Sequence, residues 1–368
     1  MYRRRRAVVF GGLATLLALV IYLLTSTGGG KPPVAAHQPP PHHTLHSAQA
    51  SRSLEVGVRD LSVTDPSRTT YNYATGKSSA GRTLGIEVRY PTRFGAAAAE
   101  TKGAKPAFSK GAHLVVFATG FRLQPGDYDA LLDAWVKAGD VVAAIDFPDT
   151  TYPATEAAYT ANLPHGSPEA DVYNEPADVA FALHQLFGLE ASTTSWLHGA
   201  FDPKVIALAG HSDGASAVAA LAYDSNYAVS GLPVGAVLAL SGGEFAISGQ
   251  HYSAATAADA PLLVVQSAAD TCAAPWQAVQ LYDAIASPKY FLELHSATHL
   301  GAYNGSDPAA ATVQKVTTAF LAAAFAGQVS GNAALLAAGA VSGVSSITGA
   351  TLAAPITTPA GSGQCPHD

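Results

Sequence analysis

The sequence predicts an α/β protein built on a doubly wound, mostly parallel sheet. Short apolar runs of strand length alternate with helix-length segments between about residues 113 and 325, the pattern a parallel sheet with crossover helices requires. Helix boundaries along that stretch fall at Gly and Pro, as at Gly139 and Pro176. One strand also runs without a break into a Gly-x-Ser-x-Gly turn that opens directly into a helix.

The elements follow in order. Val56, Val58 and Leu61, then Leu84, Ile86 and Val88 beyond a polar, turn-rich segment, alternate with polar residues and predict an N-terminal antiparallel β-hairpin. His113 to Ala118 is a buried-type strand ending at Thr119-Gly120-Phe121. Tyr128 to Ala138 carries Leu131, Leu132, Trp135 and Val136 at helical spacing and stops at Gly139. Val141 to Ile145 is a strand ending in Asp146, and Pro176 opens a helix with Val179, Leu183 and Leu186 on one face. Strands are then expected at Val205 to Ala209, Val234 to Leu240, Pro261 to Gln266 and Tyr290 to Glu293. One catalytic-size domain over residues 54–327 accounts for them. After Gly327 the composition shifts to Ala, Gly, Ser and Thr, so residues 328–368 read as a tail, with a short helix at Asn332 to Ala338.

The N-terminus is of another kind. Four arginines within Met1 to Arg6 precede an uncharged, mostly apolar stretch from Ala7 to Leu24, an export signal. Its length of about 18 residues lies between a signal-peptide core and a membrane span, so residues 1–27 read as a signal anchor or a cleaved signal peptide. Either places the folded part outside the cytoplasm, and the membrane enters only through this segment. Residues 28–53, rich in Gly, Pro, Ser and His, read as a tether. Prolines among His37, His42, His43 and His46 deny them the fixed geometry of a metal site, and no metal or organic cofactor is implied elsewhere. An exported compartment permits Cys272 and Cys365 to pair, tying the tail to the loop that carries Cys272; two free thiols are the alternative. A net charge of −7, with 20 Lys and Arg against 27 Asp and Glu, leaves no basic face for a nucleic acid.

The chemistry centres on Gly210-His211-Ser212-Asp213-Gly214, which joins the strand ending at Ala209 to the small residues Ala215 to Ala220. A strand-to-helix turn of this kind strains the serine backbone and exposes its Oγ, while Gly210 and Gly214 give neighbouring backbones room. This nucleophile elbow predicts the α/β-hydrolase fold, whose base and orienting acid follow in the order serine, acid, histidine. Asp270 stands just past the strand Leu262 to Gln266, and His299 in the loop after Tyr290 to Glu293. His295 competes with His299 but sits at the strand end, where no loop carries it back over the serine. His211 reads as a packing or hydrogen-bonding residue, because neighbouring side chains on the elbow diverge. The backbone N–H groups of Asp213 and Phe121 are the candidates for an oxyanion hole, with the Phe121 ring as a pocket wall or a core residue. Asp146 precedes the serine and so breaks the expected order; it reads as a loop-structuring residue.

Val56-Gly57-Val58-Arg59, Val88-Arg89-Tyr90-Pro91, Thr119-Gly120-Phe121, Glu175-Pro176-Ala177-Asp178-Val179 and Gly210 to Gly214, together with the acid and histidine segments, carry a family resemblance. From about Val56 to Phe325 the chain resembles the α/β hydrolases of the dienelactone-hydrolase and platelet-activating-factor-acetylhydrolase-like group. The resemblance implies a serine esterase acting on short-chain esters and related acyl substrates, small molecules or lipids. Thr119 stands where many relatives have histidine, and Ser241-Gly242-Gly243-Glu244 lacks the tryptophan of polyester-degrading cutinases, so polyester cleavage is not expected. Two readings remain beside the esterase. One is a lipase or phospholipid acyl hydrolase with Tyr152 to Tyr173 as a lid. The other is a catalytically silent binding module, which would have no need of all three triad roles.

Overall fold

The parallel strands of the sheet are apolar on both faces, and a computed structural model of the chain shows where each face is covered. The structure describes residues 54–349 except 93–100, 109–110, 228, 230, 244–259 and 287. The export segment, the tether with its histidines and the residues from 350 onward lie outside the described residues.

The strands are β1 (Glu55–Asn72), β2 (Lys77–Thr92), β3 (Thr101–Lys102), β4 (Leu114–Ala118), β5 (Val141–Asp146), β6 (Ile206–His211), β7 (Val234–Leu240), β8 (Leu262–Ser267), β9 (Lys289–Leu294) and β10 (Ser345–Thr348). They form one sheet in the order β10-β9-β8-β7-β6-β4-β5-β2-β1-β3. The six from β4 to β9 are mutually parallel. Antiparallel pairs β1/β2, β2/β5 and β9/β10 flank them. The helices are α1 (Asp129–Ala138), α2 (Tyr152–Thr160), α3 (Glu175–Ala191), α4 (Asp213–Tyr223), α5 (Pro275–Ala284), α6 (Gly301–Asn304), α7 (Ala310–Phe325) and α8 (Ala333–Gly339). Among the described residues, no helix is long and apolar enough to cross a membrane.

Period-two alternation sorts the strand side chains into two cores. Leu114, Val116 and Ala118 pack with Val179 and Leu183 of α3, Ala215 to Tyr223 of α4 and Leu281 of α5. Val115 and Phe117 face the other way, onto Leu131 to Val136 of α1, Val313 to Leu321 of α7 and Leu335 of α8. Helix α1 ends where Gly139 adopts φ +115°, a left-handed conformation open to glycine, and its N–H donates to the Val136 carbonyl at 2.9 Å.

Two expectations need correction. The hairpin does not break across residues 62–83: β1 and β2 continue through that polar stretch and turn only at residues 73–76. A bulge around Ser67, whose N–H and Oγ both donate to Asp65 Oδ1, lets Arg68 reach Asp178 at 2.5 Å. Buried Arg82 in β2 meets Asp178, Asp171 and Asp149 at 2.6, 2.5 and 3.0 Å. The polar residues read as a turn are therefore strand residues that bind the segment following β5. The second correction concerns the tail. Residues 328–349 belong to the domain: β10 pairs with β9 through Ser345 opposite Leu294 and Thr348 opposite Phe291. Val329, Leu335 and Ala338 are buried, and the Tyr290 hydroxyl donates to the Val329 carbonyl at 2.6 Å. Small residues are needed here, because a Cβ on Gly339 would lie 2.8 Å from Ile347. A composition this poor in large apolar side chains hides its packing from a periodicity argument.

Candidate active site

The strand order reverses between β4 and β6: β5 lies on one side of β4, and the next strand of the chain is added on the other. In open α/β sheets this switch point opens a crevice at the carboxyl ends of the strands. The turn after β4 and the elbow after β6 meet there.

Ser212 sits between β6 and α4 at φ 55° and ψ −123°, a left-handed conformation that costs a non-glycine residue of order 1–3 kcal/mol. The strain is held by backbones in close approach. A Cβ on Gly210 would lie 2.2 Å from the Gly214 carbonyl oxygen, one on Gly214 2.3 Å from that of Ala118, and one on Gly242 2.3 Å from that of Ser212. Gly214→Ala therefore drives a methyl into β4 with no side chain able to yield. It is expected to destabilise the fold by about 3 kcal/mol or more, read as a lowered urea midpoint at unchanged slope.

Asp270 and His299 meet across the ends of β8 and β9. The His299 Nδ1–H donates to Asp270 Oδ2 at 2.8 Å, and both residues are buried. The other carboxylate oxygen accepts the backbone N–H groups of Cys272 and Ala273 at 2.9 and 3.0 Å, fixing the plane of the group. Gln266 Nε2, at 3.2 Å from Oδ2, completes its shell. His295 is exposed at the strand end, with its backbone N–H on the Val344 carbonyl. Of the two histidines, His299 is thus the one paired with the acid. No hydrogen bond joins Ser212 Oγ to His299 Nε2 among the described residues; the imidazole is tied to the elbow through its own backbone, whose carbonyl accepts from His211 Nε2 at 3.0 Å. Such contacts tighten on substrate binding in many hydrolases.

The turn after β4 is pinned on either side of Phe121. The Gly120 N–H donates to the Tyr128 hydroxyl at 3.0 Å, and the Arg122 N–H to the Thr150 carbonyl at 2.7 Å. Gly120 lies against the elbow, since a Cβ there would come within 3.1 Å of the Ser212 Cβ. Neither the Phe121 N–H nor the Asp213 N–H has a partner among the described residues. Arg122, held at φ 61°, stacks on the rings of Tyr152 and Tyr159 and pairs with Glu156 at 2.9 Å, which anchors α2, the first part of the 152–173 segment, to this turn.

Two carboxyl groups beside the crevice, Asp213 and Glu175, hold their protons to higher pH than usual. Burial pushes Asp213 up to about 7, with Glu169 adding to the shift and His299 opposing it. Burial also pushes Glu175 well above the ordinary carboxyl range, and the charge of Asp213 adds to it. Glu175 accepts from Thr150 Oγ1 at 2.9 Å through one oxygen, and the other is buried with no partner among the described residues. The sign for Asp213 follows from linkage: a folded value raised above the ordinary 3.8 gives stability that is complete in acid and is lost as the pH rises through about 7. An amide loses nothing over that range. Asp213→Asn should therefore melt with the wild type near pH 4 and progressively above it toward pH 8, measured as a difference in Tm; an advantage that does not change with pH would contradict the assignment.

Asp146, read as loop-structuring, has Oδ1 buried with no partner among the described residues and lines a separate cleft of about 380 Å³ with Glu87 and Gln124. Cys272 is disulfide-bonded, while Cys365 lies outside the described residues. Tyr128, Gln266 and Glu175 escaped the sequence reading. Gln266 had a signal, a polar residue directly after the apolar run of a buried strand; Tyr128 had none, being indistinguishable from a first helical turn.

No family model and no curated protein sequence matches the chain. Among solved structures it is similar to a ferulic acid esterase from Streptomyces cinnamoneus, at 19% identity over 77% of this chain and 92% of that one, with a TM-score of 0.52. At this identity the likeness speaks for the fold, and together with the ten-stranded mixed sheet and its flanking helices it shows that the chain has the α/β-hydrolase fold.

Proposed function

We propose that the protein is an exported serine hydrolase that cleaves carboxylic esters through an acyl-enzyme. The observation that carries this reading is the buried Asp270–His299 pair at 2.8 Å, set at the same sheet edge as a serine strained at φ 55°. Ser212 Oγ attacks the ester carbonyl as His299 Nε2 takes its proton. Asp270 holds the imidazole with its proton on Nδ1 and stabilises the imidazolium that forms. The alkoxide of the tetrahedral intermediate meets the N–H groups of Phe121 and Asp213, which have no partner among the described residues. Collapse passes the proton from His299 to the leaving alcohol, and water then repeats the sequence to free the acid. Residues 1–27 direct the domain out of the cytoplasm, and the substrate is a small-molecule or lipid ester.

The test is to treat the full-length chain with a fluorophosphonate probe, map the modified peptide by mass spectrometry, and assay an ester panel of rising acyl length that includes hydroxycinnamoyl esters. The expected result is a single adduct on Ser212 and turnover within the panel. A folded protein left unlabelled and inert would hand the fold over to a binding role.

A further inference from the structure

A hydrogen-bonded chain that the triad does not use runs beneath the site. The Gly120 N–H is 3.0 Å from the Tyr128 hydroxyl, that hydroxyl is 2.9 Å from His211 Nδ1, and His211 Nε2 is 3.0 Å from the His299 carbonyl oxygen. Chemistry sets the direction of every link. A carbonyl oxygen only accepts, so Nε2 carries the His211 proton; in a neutral ring Nδ1 must then accept, and the Tyr128 O–H donates to it. The phenol oxygen is left to receive the Gly120 N–H. Every group is satisfied in this one arrangement, and Tyr128 and His211 are both 0% exposed, where an unpaired polar group is costly.

The ends of the chain are what give it meaning. One end is the turn that carries the Phe121 N–H; the other is the backbone of His299. From this we infer that Tyr128 and His211 are positioning residues, a strut that fixes the oxyanion turn at a set distance from the catalytic imidazole. The inference rests on the ester-hydrolase reading above. Packing alone does not account for the strut. The rings of Tyr128, His299 and Tyr303 surround His211 at 5.5, 4.5 and 4.8 Å between centroids, and a phenylalanine at 128 would fill the same space. The hydroxyl is what packing leaves unexplained. On the far side, the Arg122 N–H is fastened to Thr150, so both N–H groups beside Phe121 are tied and its own is left for the substrate.

Acyl transfer needs the proton acceptor and the oxyanion donors in register at once, and a misplacement near 1 Å costs about a hundredfold. Tyr128→Phe cuts the strut by removing one oxygen. His211→Asn keeps an acceptor near Nδ1 but loses the bond to His299, whereas His211→Gln keeps a donor near Nε2 but loses Tyr128. The experiment measures kcat, KM and Tm for full-length wild type, these three variants and the Tyr128→Phe/His211→Asn double variant, with fluorophosphonate labelling rates alongside. The expected result is a kcat about tenfold to a hundredfold lower in each single variant, with KM within about twofold and labelling slowed in parallel. The double variant should lose no more than the worse single one, because the chain is already cut. Wild-type kcat in folded Tyr128→Phe, or additive losses in the double variant, would overturn the strut. If Tyr128→Phe does not fold, the two His211 variants decide the question by the same criteria. A wild-type protein that neither turns over esters nor takes the probe would instead bring down the underlying reading, and the strut with it.

Discussion

Ser212→Ala is expected to lower ester turnover by about ten-thousandfold to a millionfold while leaving Tm nearly unchanged. Both halves of that expectation come from the elbow. The strain at φ 55° is imposed by Gly210, Gly214 and Gly242, whose backbones crowd the turn, and alanine inherits the same conformation from the same neighbours. The Ser212 hydroxyl makes no hydrogen bond among the described residues, so its removal strands no partner. In the proposed mechanism, what is lost is the atom that forms the acyl-enzyme, while binding and the proposed oxyanion donors leave a small residual rate. Initial rates on the best ester of the panel and a melting curve read the two halves separately. Turnover close to wild type would end the mechanism, and a collapse of Tm would show that the hydroxyl supports the fold.

Asp270→Asn should cost on the order of ten-thousandfold in kcat, with a loss of stability of about 1–3 kcal/mol where the new NH2 meets a buried donor. The direction in which the new amide points is decided by its surroundings. Asp270 Oδ1 accepts two backbone N–H groups, from Cys272 and Ala273, so the amide oxygen of asparagine must take that position. Its NH2 then faces His299 Nδ1, where it can only donate. The imidazole is forced to accept at Nδ1 and to carry its proton on Nε2, the tautomer unable to receive the serine proton. Gln266 is held in place, because its Nε2 donates to the Ser267 and Ala273 carbonyls at 3.2 and 3.4 Å as well as to Oδ2, so it meets the new NH2 donor to donor. Steady-state rates from about pH 6 to pH 9 check this, because a tautomer defect persists across the range whereas a shifted imidazole pKa would be rescued at one end. Recovery of activity at high pH would argue against it.

The elbow was legible in the residues themselves because everything that makes it is contiguous. A buried strand, a turn that only glycines can flank and a helix of small residues occupy one uninterrupted stretch, and their sterics are local. The parallel core was legible for a related reason: strands buried on both faces leave unbroken apolar runs, and crossover helices leave a 3.6-residue period. The fold class rests on the same kind of short-range pattern.

Tertiary structure decided what depends on residues far apart in the chain. His299 rather than His295 holds Asp270 because β8 and β9 bring one loop, and not the other, against the acid. Tyr128 lies 83 residues from the histidine it contacts, and His211 lies 88 from the carbonyl it serves, so no window of sequence contains either bond. The polar length of the hairpin and the Ala-rich segment that ends in β10 were misread for one reason: their stabilising partners, buried carboxylates in one case and the edge of β9 in the other, are absent from their own composition. Local sterics and periodicity are written residue by residue, whereas the pairing of buried polar groups is a property of the closed sheet.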